Sequence, residues 1–119
     1  MGNSILKDKS FAFAIRIVNL YKVISETKKE FVMSKQVYRS GTAVGAMIRE
    51  AQNAESKMDF IHKLAIAQKE CDETLYWLEL LKATHYISEK EFESIANDNQ
   101  ELLKMLKSSI ITVKKSIKK

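Results

Sequence analysis

Lys35, Arg39 and Arg49 are the residues of this chain best placed to do chemistry, and the chemistry is ionic. No acid occurs between residues 31 and 49. Lys35 and Arg39 are one helical turn apart and share a face. Arg49 lies ten residues beyond Arg39, about 1000° of helical rotation, which places it about 80° around the helix rather than in the same row. Cations so grouped have three uses. They contact phosphate, they pair with acids of a neighbouring helix, where arginine presents a fork matching a carboxylate, or they stand in solvent. Lys114, Lys115, Lys118 and Lys119 add a second, weaker basic group at the end of the chain. Cations there are also favoured by a helix C-terminus without any partner.

Other chemistries are poorly supplied. A carboxylate-bridged metal site in a helical bundle needs Glu-x-x-His pairs and further glutamates on facing helices. Asp59 and His62 have that spacing, Glu70 and Glu73 repeat it without histidine, and His85 stands alone. Asp59 is better used as a helix-start acid, so neither metal nor cofactor is expected. Cys71 sits in an apolar line, and Glu70, Asp72 and Glu73 around it oppose thiolate formation. Arg39-Ser40-Gly41-Thr42 lacks the spacing and the lysine of a phosphate-binding loop. The residues do not add up to an enzyme.

Four elements must position these groups. The spacing predicts a first helix from about Lys9 to Thr27, with Phe11, Ala14, Ile17, Val18, Tyr21 and Ile24 on its inner face and Asp8 or Ser10 capping its start. A second runs from Val32 or Ser34 to Ala54 on the stripe Val37, Gly41, Val44, Ile48 and Ala51. Gly41 and Gly45 cost such a helix about 1 kcal/mol each relative to alanine, so a close neighbour is expected there. A turn at Ser40-Gly41 splitting the segment is the other reading. Ser56 through Asp59 resembles a capping box opening a third helix that ends near Thr84, with Phe60, Leu64, Ala67, Cys71, Leu75, Leu78 and Leu81 on one broad face. Ser88-Glu89-Lys90-Glu91 opens the fourth, whose stripe from Phe92 to Ile117 includes Asn99. Asn99 needs a hydrogen-bond partner if buried, and a rim position is the plainer reading.

Amphipathic helices joined by short connections bury one another, so residues 1–119 are expected to form a single all-α, up-down-up-down four-helix bundle. Tyr76, Trp77 and Leu80 widen the apolar surface of the third helix beyond one stripe. That excess predicts a homo-oligomer interface. The balance of 20 basic against 15 acidic residues gives +5, unevenly spread: +3 over residues 1–30, +3 over 31–49, −6 over 50–98 and +5 over 99–119. With 45% hydrophobic residues the chain is too apolar for disorder by composition. Arg16, Asn19 and Lys22 interrupt the apolar stretch from Phe11 to Ile24, which excludes a membrane span or a targeting core. A lone cysteine makes no internal disulfide, so a reducing, cytoplasmic compartment is expected.

The segment Ser34-Lys35-Gln36-Val37-Tyr38-Arg39-Ser40-Gly41-Thr42-Ala43-Val44-Gly45-Ala46-Met47-Ile48-Arg49-Glu50-Ala51 resembles the signature of the four-helix bundle proteins encoded within bacterial 23S ribosomal RNA intervening sequences. Two later blocks, Ser56 through Leu64 and Glu73 through Leu81, resemble it again in order. The signature maps onto Ser34, Arg39, Ser40, Gly41, Gly45, Arg49 and Glu50. Met47 stands where the family usually has Asn, and Ala43 where it often has Ser. The family also looks like the accessory variability proteins of diversity-generating retroelements. That likeness implies a barrel-like pentamer with a basic surface, and nucleic acid and a reverse transcriptase as partners. It implies no catalytic residues.

The function expected from sequence is therefore non-enzymatic: a ring-like homo-oligomer that binds RNA or other nucleic acid. Lys35, Arg39 and Arg49 contact phosphate, and Lys114, Lys115, Lys118 and Lys119 assist. The alternative is a structural or protein-interaction module that does not bind nucleic acid directly.

Overall fold

The computed structural model describes residues 3–117, which form four α-helices and, among the described residues, no strand. They are α1 (Asn3–Lys28), α2 (Met33–Gln52), α3 (Lys57–Ala83) and α4 (Glu89–Ile117). Each helix packs on its neighbours in sequence, and α1 also packs on α4, in a body 52 × 22 × 20 Å.

Named contacts set the register. Between α1 and α2, Gly41 meets Ile17 while Gly45 meets Ser10. From α2 to α3, Arg39 reaches Glu73 and Glu50 reaches Lys63. From α1 to α4, Lys9 pairs with Glu101 and Arg16 with Asp98, both at 2.6 Å. In every pair, positions rise along one helix as they fall along the other.

The helix starts show how local chemistry works here. Ser88 and Glu91 form a reciprocal capping box: the Glu91 N–H donates to Ser88 Oγ at 3.1 Å and the Ser88 N–H to Glu91 Oε1 at 2.8 Å. Ser56 Oγ caps α3 by accepting from the Asp59 N–H at 3.0 Å, and Asp59 accepts from the Glu55 N–H at 3.2 Å. At α2 the cap is Glu30, whose carboxylate accepts from the N–H groups of Val32, Met33 and Ser34 at 2.8–2.9 Å. The second helix is continuous through both glycines.

The first helix departs from the sequence expectation twice. It begins at Asn3, so Asp8 and Ser10 lie inside it rather than at its cap. Leu6 is buried in the core and holds the added turn, while Ser10 is buried with its hydroxyl donating to the Lys7 carbonyl at 3.0 Å. Its inner face is Leu6, Ser10, Phe13, Ile17 and Ile24, and Phe11 is turned outward, 56% exposed. Phe13 lies four residues before Ile17, one turn away on the same face, whereas Phe11 lies six before it, about 120° around the helix, and the packed face follows Ile17 and Phe13.

The core proper joins Val37, Val44 and Ile48 of α2, Leu64, Cys71, Leu78 and Leu81 of α3, and Leu102 and Leu106 of α4. Asn99 belongs to it rather than to the rim: it is buried, and its Nδ2 donates to the Cys71 carbonyl at 2.9 Å. Its Oδ1 has no hydrogen-bond partner. Three residues along α3 from Cys71, Thr74 donates to Ser40 Oγ of α2 at 2.9 Å, a second buried polar contact between helices.

Candidate nucleic-acid interface

The three basic residues of α2 have different surroundings. Lys35 is exposed and lines a shallow groove with Tyr38, Arg39 and Thr42, without an acidic partner among the described residues. Arg49 is also exposed; its guanidinium lies 5.9 Å from the centre of the Phe11 ring and has no carboxylate partner among the described residues. Arg39 is engaged. Its guanidinium meets Glu73 at 2.5 Å and Glu70 at 3.2 Å, and these bonds hold its proton more tightly than usual.

The Arg39 contact continues across the surface of α3. Trp77 Nε1 donates to the same Glu73 carboxylate at 3.1 Å, and Tyr76 stands edge-on to Trp77 with ring centres 5.0 Å apart. Hydrogen bonds from Arg39 and then Trp77 hold the Glu73 carboxyl below the ordinary carboxylate value. Of the residues singled out for an oligomer interface, Tyr76 is 56% exposed, whereas Trp77 and Leu80 are half-buried within the monomer.

The remaining predicted residues are distributed as follows. Lys114 and Lys115 lie exposed in the last turn of α4, and Lys118 and Lys119 lie outside the described residues. Gly41 is at the closest helix approach: a Cβ there would lie 2.7 Å from Ile17 Cγ1. Gly45 faces the backbone of Ser10 with ordinary van der Waals room. Cys71 is buried, and burial first, then the charges of Asp72 and Glu70, push its thiol up to about 12. Among the described residues no group of three or more His, Cys, Asp or Glu could hold a metal ion.

Sequence reasoning missed a groove between α1 and α2 of about 630 Å³. Phe11 and Arg49 line it, together with Lys7, Glu50, Asp59 and Lys63. The available signal was Phe13, which fits the Ile17–Ile24 stripe better than Phe11 and leaves Phe11 to the outside. It also missed that exposed apolar side chains gather on α1, where Ile5, Ile15 and Val23 are each at least half exposed.

The family model for the 23S rRNA-intervening sequence protein matches residues 3–108 of this fold. The chain belongs to that family. A solved structure similar to it, at 1.70 Å resolution, is a protein of unknown function from the S23 ribosomal protein family of Bacteroides thetaiotaomicron VPI-5482. The two share 58% identity and a TM-score of 0.91, over 92% of this chain and 98% of that chain. No curated protein matches the chain. The 23S rRNA-intervening sequence protein match includes all three α2 cations and both glycines but stops before Lys114. No helix among the described residues is long and apolar enough to cross a membrane.

Proposed function

We propose that this 23S rRNA-intervening sequence protein is a non-enzymatic, cytoplasmic, homo-oligomeric bundle that binds RNA through the outer face of α2. The observation that carries the reading is the pair Lys35 and Arg49. Both are exposed and neither has an acidic partner among the described residues, on a helix that carries no acid before Glu50. Arg39 takes a positioning role, tying α2 to α3 through Glu70 and Glu73. The opposed order of contacts along each helix pair supports an up-down-up-down bundle. A ring of copies multiplies a weak patch by avidity, and the resemblance noted above makes a pentamer the subunit number to test. Burial of Cys71 supports the non-enzymatic part, since its thiol is held in the unreactive form.

Fluorescence anisotropy with structured RNA and a matched DNA duplex, titrated with salt, tests the reading. Micromolar binding near about 150 mM salt that weakens steeply with added salt is expected. Lys35→Gln and Arg49→Gln should each lower the slope of log affinity against log salt by about 1, while Arg39→Gln leaves the slope unchanged. Absence of binding to either probe at tens of micromolar protein overturns it.

A second reading is favoured by a separate observation. Ile5, Ile15 and Val23 are exposed aliphatic side chains along α1 that suit contact with protein rather than nucleic acid. On that reading a protein partner, a reverse transcriptase being the candidate implied by the resemblance, covers what a second copy does not.

A further inference from the structure

The groove between α1 and α2 joins an exposed aromatic ring to cations that nothing else in the chain uses. Phe11 is 56% exposed beside it, although a ring of this size is normally among the first groups to be buried. Four charged groups other than Arg49 line the groove: Lys7, Glu50, Asp59 and Lys63. Two acids are occupied, since Glu50 pairs with Lys63 at 3.2 Å and Asp59 accepts from the Glu55 N–H. Lys7 and Arg49 are left without acidic partners among the described residues; Lys7 stands one helical turn before Phe11 on α1, and Arg49 lies 5.9 Å from the ring centre. The small residues Ala14, Gly45 and Ala46 keep the space beside it open, and its volume of about 630 Å³ lies within the range of small-ligand clefts.

We infer that Phe11 is a stacking platform for an unpaired base, with Arg49 and Lys7 holding the phosphates on either side. This rests on the nucleic-acid reading above and narrows it from phosphate contact in general to single-stranded segments. A bare aromatic face between cations is the arrangement by which proteins hold unpaired strands without reading sequence. The guanidinium at 5.9 Å is at the outer limit of a cation–π contact, so the ring remains open to a second partner. Other aromatic residues fit less well. Tyr38 is already stacked on Tyr21 with ring centres 4.9 Å apart, and Tyr76 stands among the acids of α3 next to Glu73.

The test compares a labelled oligoadenylate RNA of about 12 nucleotides with an RNA duplex of similar length, by anisotropy on the full chain. Phe11→Ala and Phe11→Leu should each weaken oligoadenylate binding about tenfold, leave duplex binding within about twofold, and leave the salt slope unchanged because no cation is lost. Phe11→Trp should restore or tighten oligoadenylate binding. Circular dichroism and light-scattering mass confirm that each variant keeps the fold and assembly of the parent chain. Wild-type binding to both probes with no loss in Phe11→Ala or Phe11→Leu overturns the stacking role alone. Wild-type binding to neither overturns the nucleic-acid reading itself. A smaller assembly for Phe11→Ala shows the ring to be packed between copies and also overturns the stacking role.

Discussion

Gly41 and Gly45 stand one turn apart, yet a methyl group has opposite consequences at the two. At Gly41 it would lie 2.7 and 2.9 Å from the branched Cγ atoms of Ile17, which is fully buried. A β-branched side chain on a helix has one strongly preferred rotamer, so Ile17 cannot swing away. At Gly45 the nearest atom is the Ser10 carbonyl oxygen at 3.4 Å, an ordinary contact. Replacing a helical glycine by alanine gains about 1 kcal/mol of helix propensity at either site. Overpacking at Gly41 costs about 1–3 kcal/mol. Urea denaturation should therefore find Gly41→Ala net destabilised, by up to about 2 kcal/mol, and Gly45→Ala unchanged or stabilised by up to about 1 kcal/mol. Equal destabilisation of both would refute this account of the α1–α2 contact.

The helices themselves depend on how their ends are satisfied. Glu30 is the clearest case, because a nearly buried carboxylate accepts three N–H groups at the start of α2. Burial works to raise its pKa, but the bonds from Met33, Ser34 and Val32 together outweigh it and leave the value below the ordinary 4.5. Since the folded value is the lower one, its stabilisation is complete above the ordinary carboxylate value and is lost as pH falls through the folded value. Glu73 and Glu91, held down by Arg39 and by the Ser88 N–H respectively, add to the same acid-side loss. Glu30→Ala should cost about 1–2 kcal/mol at neutral pH. Glu30→Gln should flatten the decline in stability between about pH 5 and pH 2; urea midpoints measured across that range check both. The other ends are less favourable: Lys29 and His85 adopt φ of 55° and 70° just after α1 and α3, where glycine is the usual residue.

At the scale of the whole molecule, the cations proposed to meet RNA and the most exposed aliphatic side chains of α1 lie on different helices. The free cations Lys35 and Arg49 stand on α2, while the exposed Ile5, Ile15 and Val23 stand on α1. An assembly using those α1 side chains leaves the α2 cations open to a ligand. Ile15 is 50% exposed and removed from the core, so Ile15→Glu should leave the monomer's helical content intact. If copies meet on this face, a buried unpaired carboxylate there costs several kcal/mol per contact, of the order of 3–5 kcal/mol, and light scattering should record loss of the oligomer. An unchanged oligomer mass would move the interface elsewhere, with exposed Tyr76 the next site to substitute. Arg39→Glu is a poor probe of ligand binding, because it sets a third carboxylate against Glu70 and Glu73 and disturbs α2–α3 packing.

Much of this was legible in the residues alone. Helix number, the α2 stripe through Gly41, and the caps at Ser56 and Ser88 follow from spacing and short-range hydrogen bonding, which are properties of neighbouring residues. The likeness of the α2 segment to its family was carried there too. Which partner each long side chain takes was not. Arg39 had three uses on α2, and only the approach of Glu70 and Glu73 from α3 selected pairing. The role of Glu30 was not legible either, because nothing local announces a carboxylate folded back over three N–H groups. Phe11 read as an inward residue of α1 and Asn99 as a rim residue; contact with the neighbouring helices turned Phe11 out and drew Asn99 in. Periodicity along a chain determines that a helix has an inner face, whereas the rotation of that face by a fraction of a turn is decided by close packing between helices.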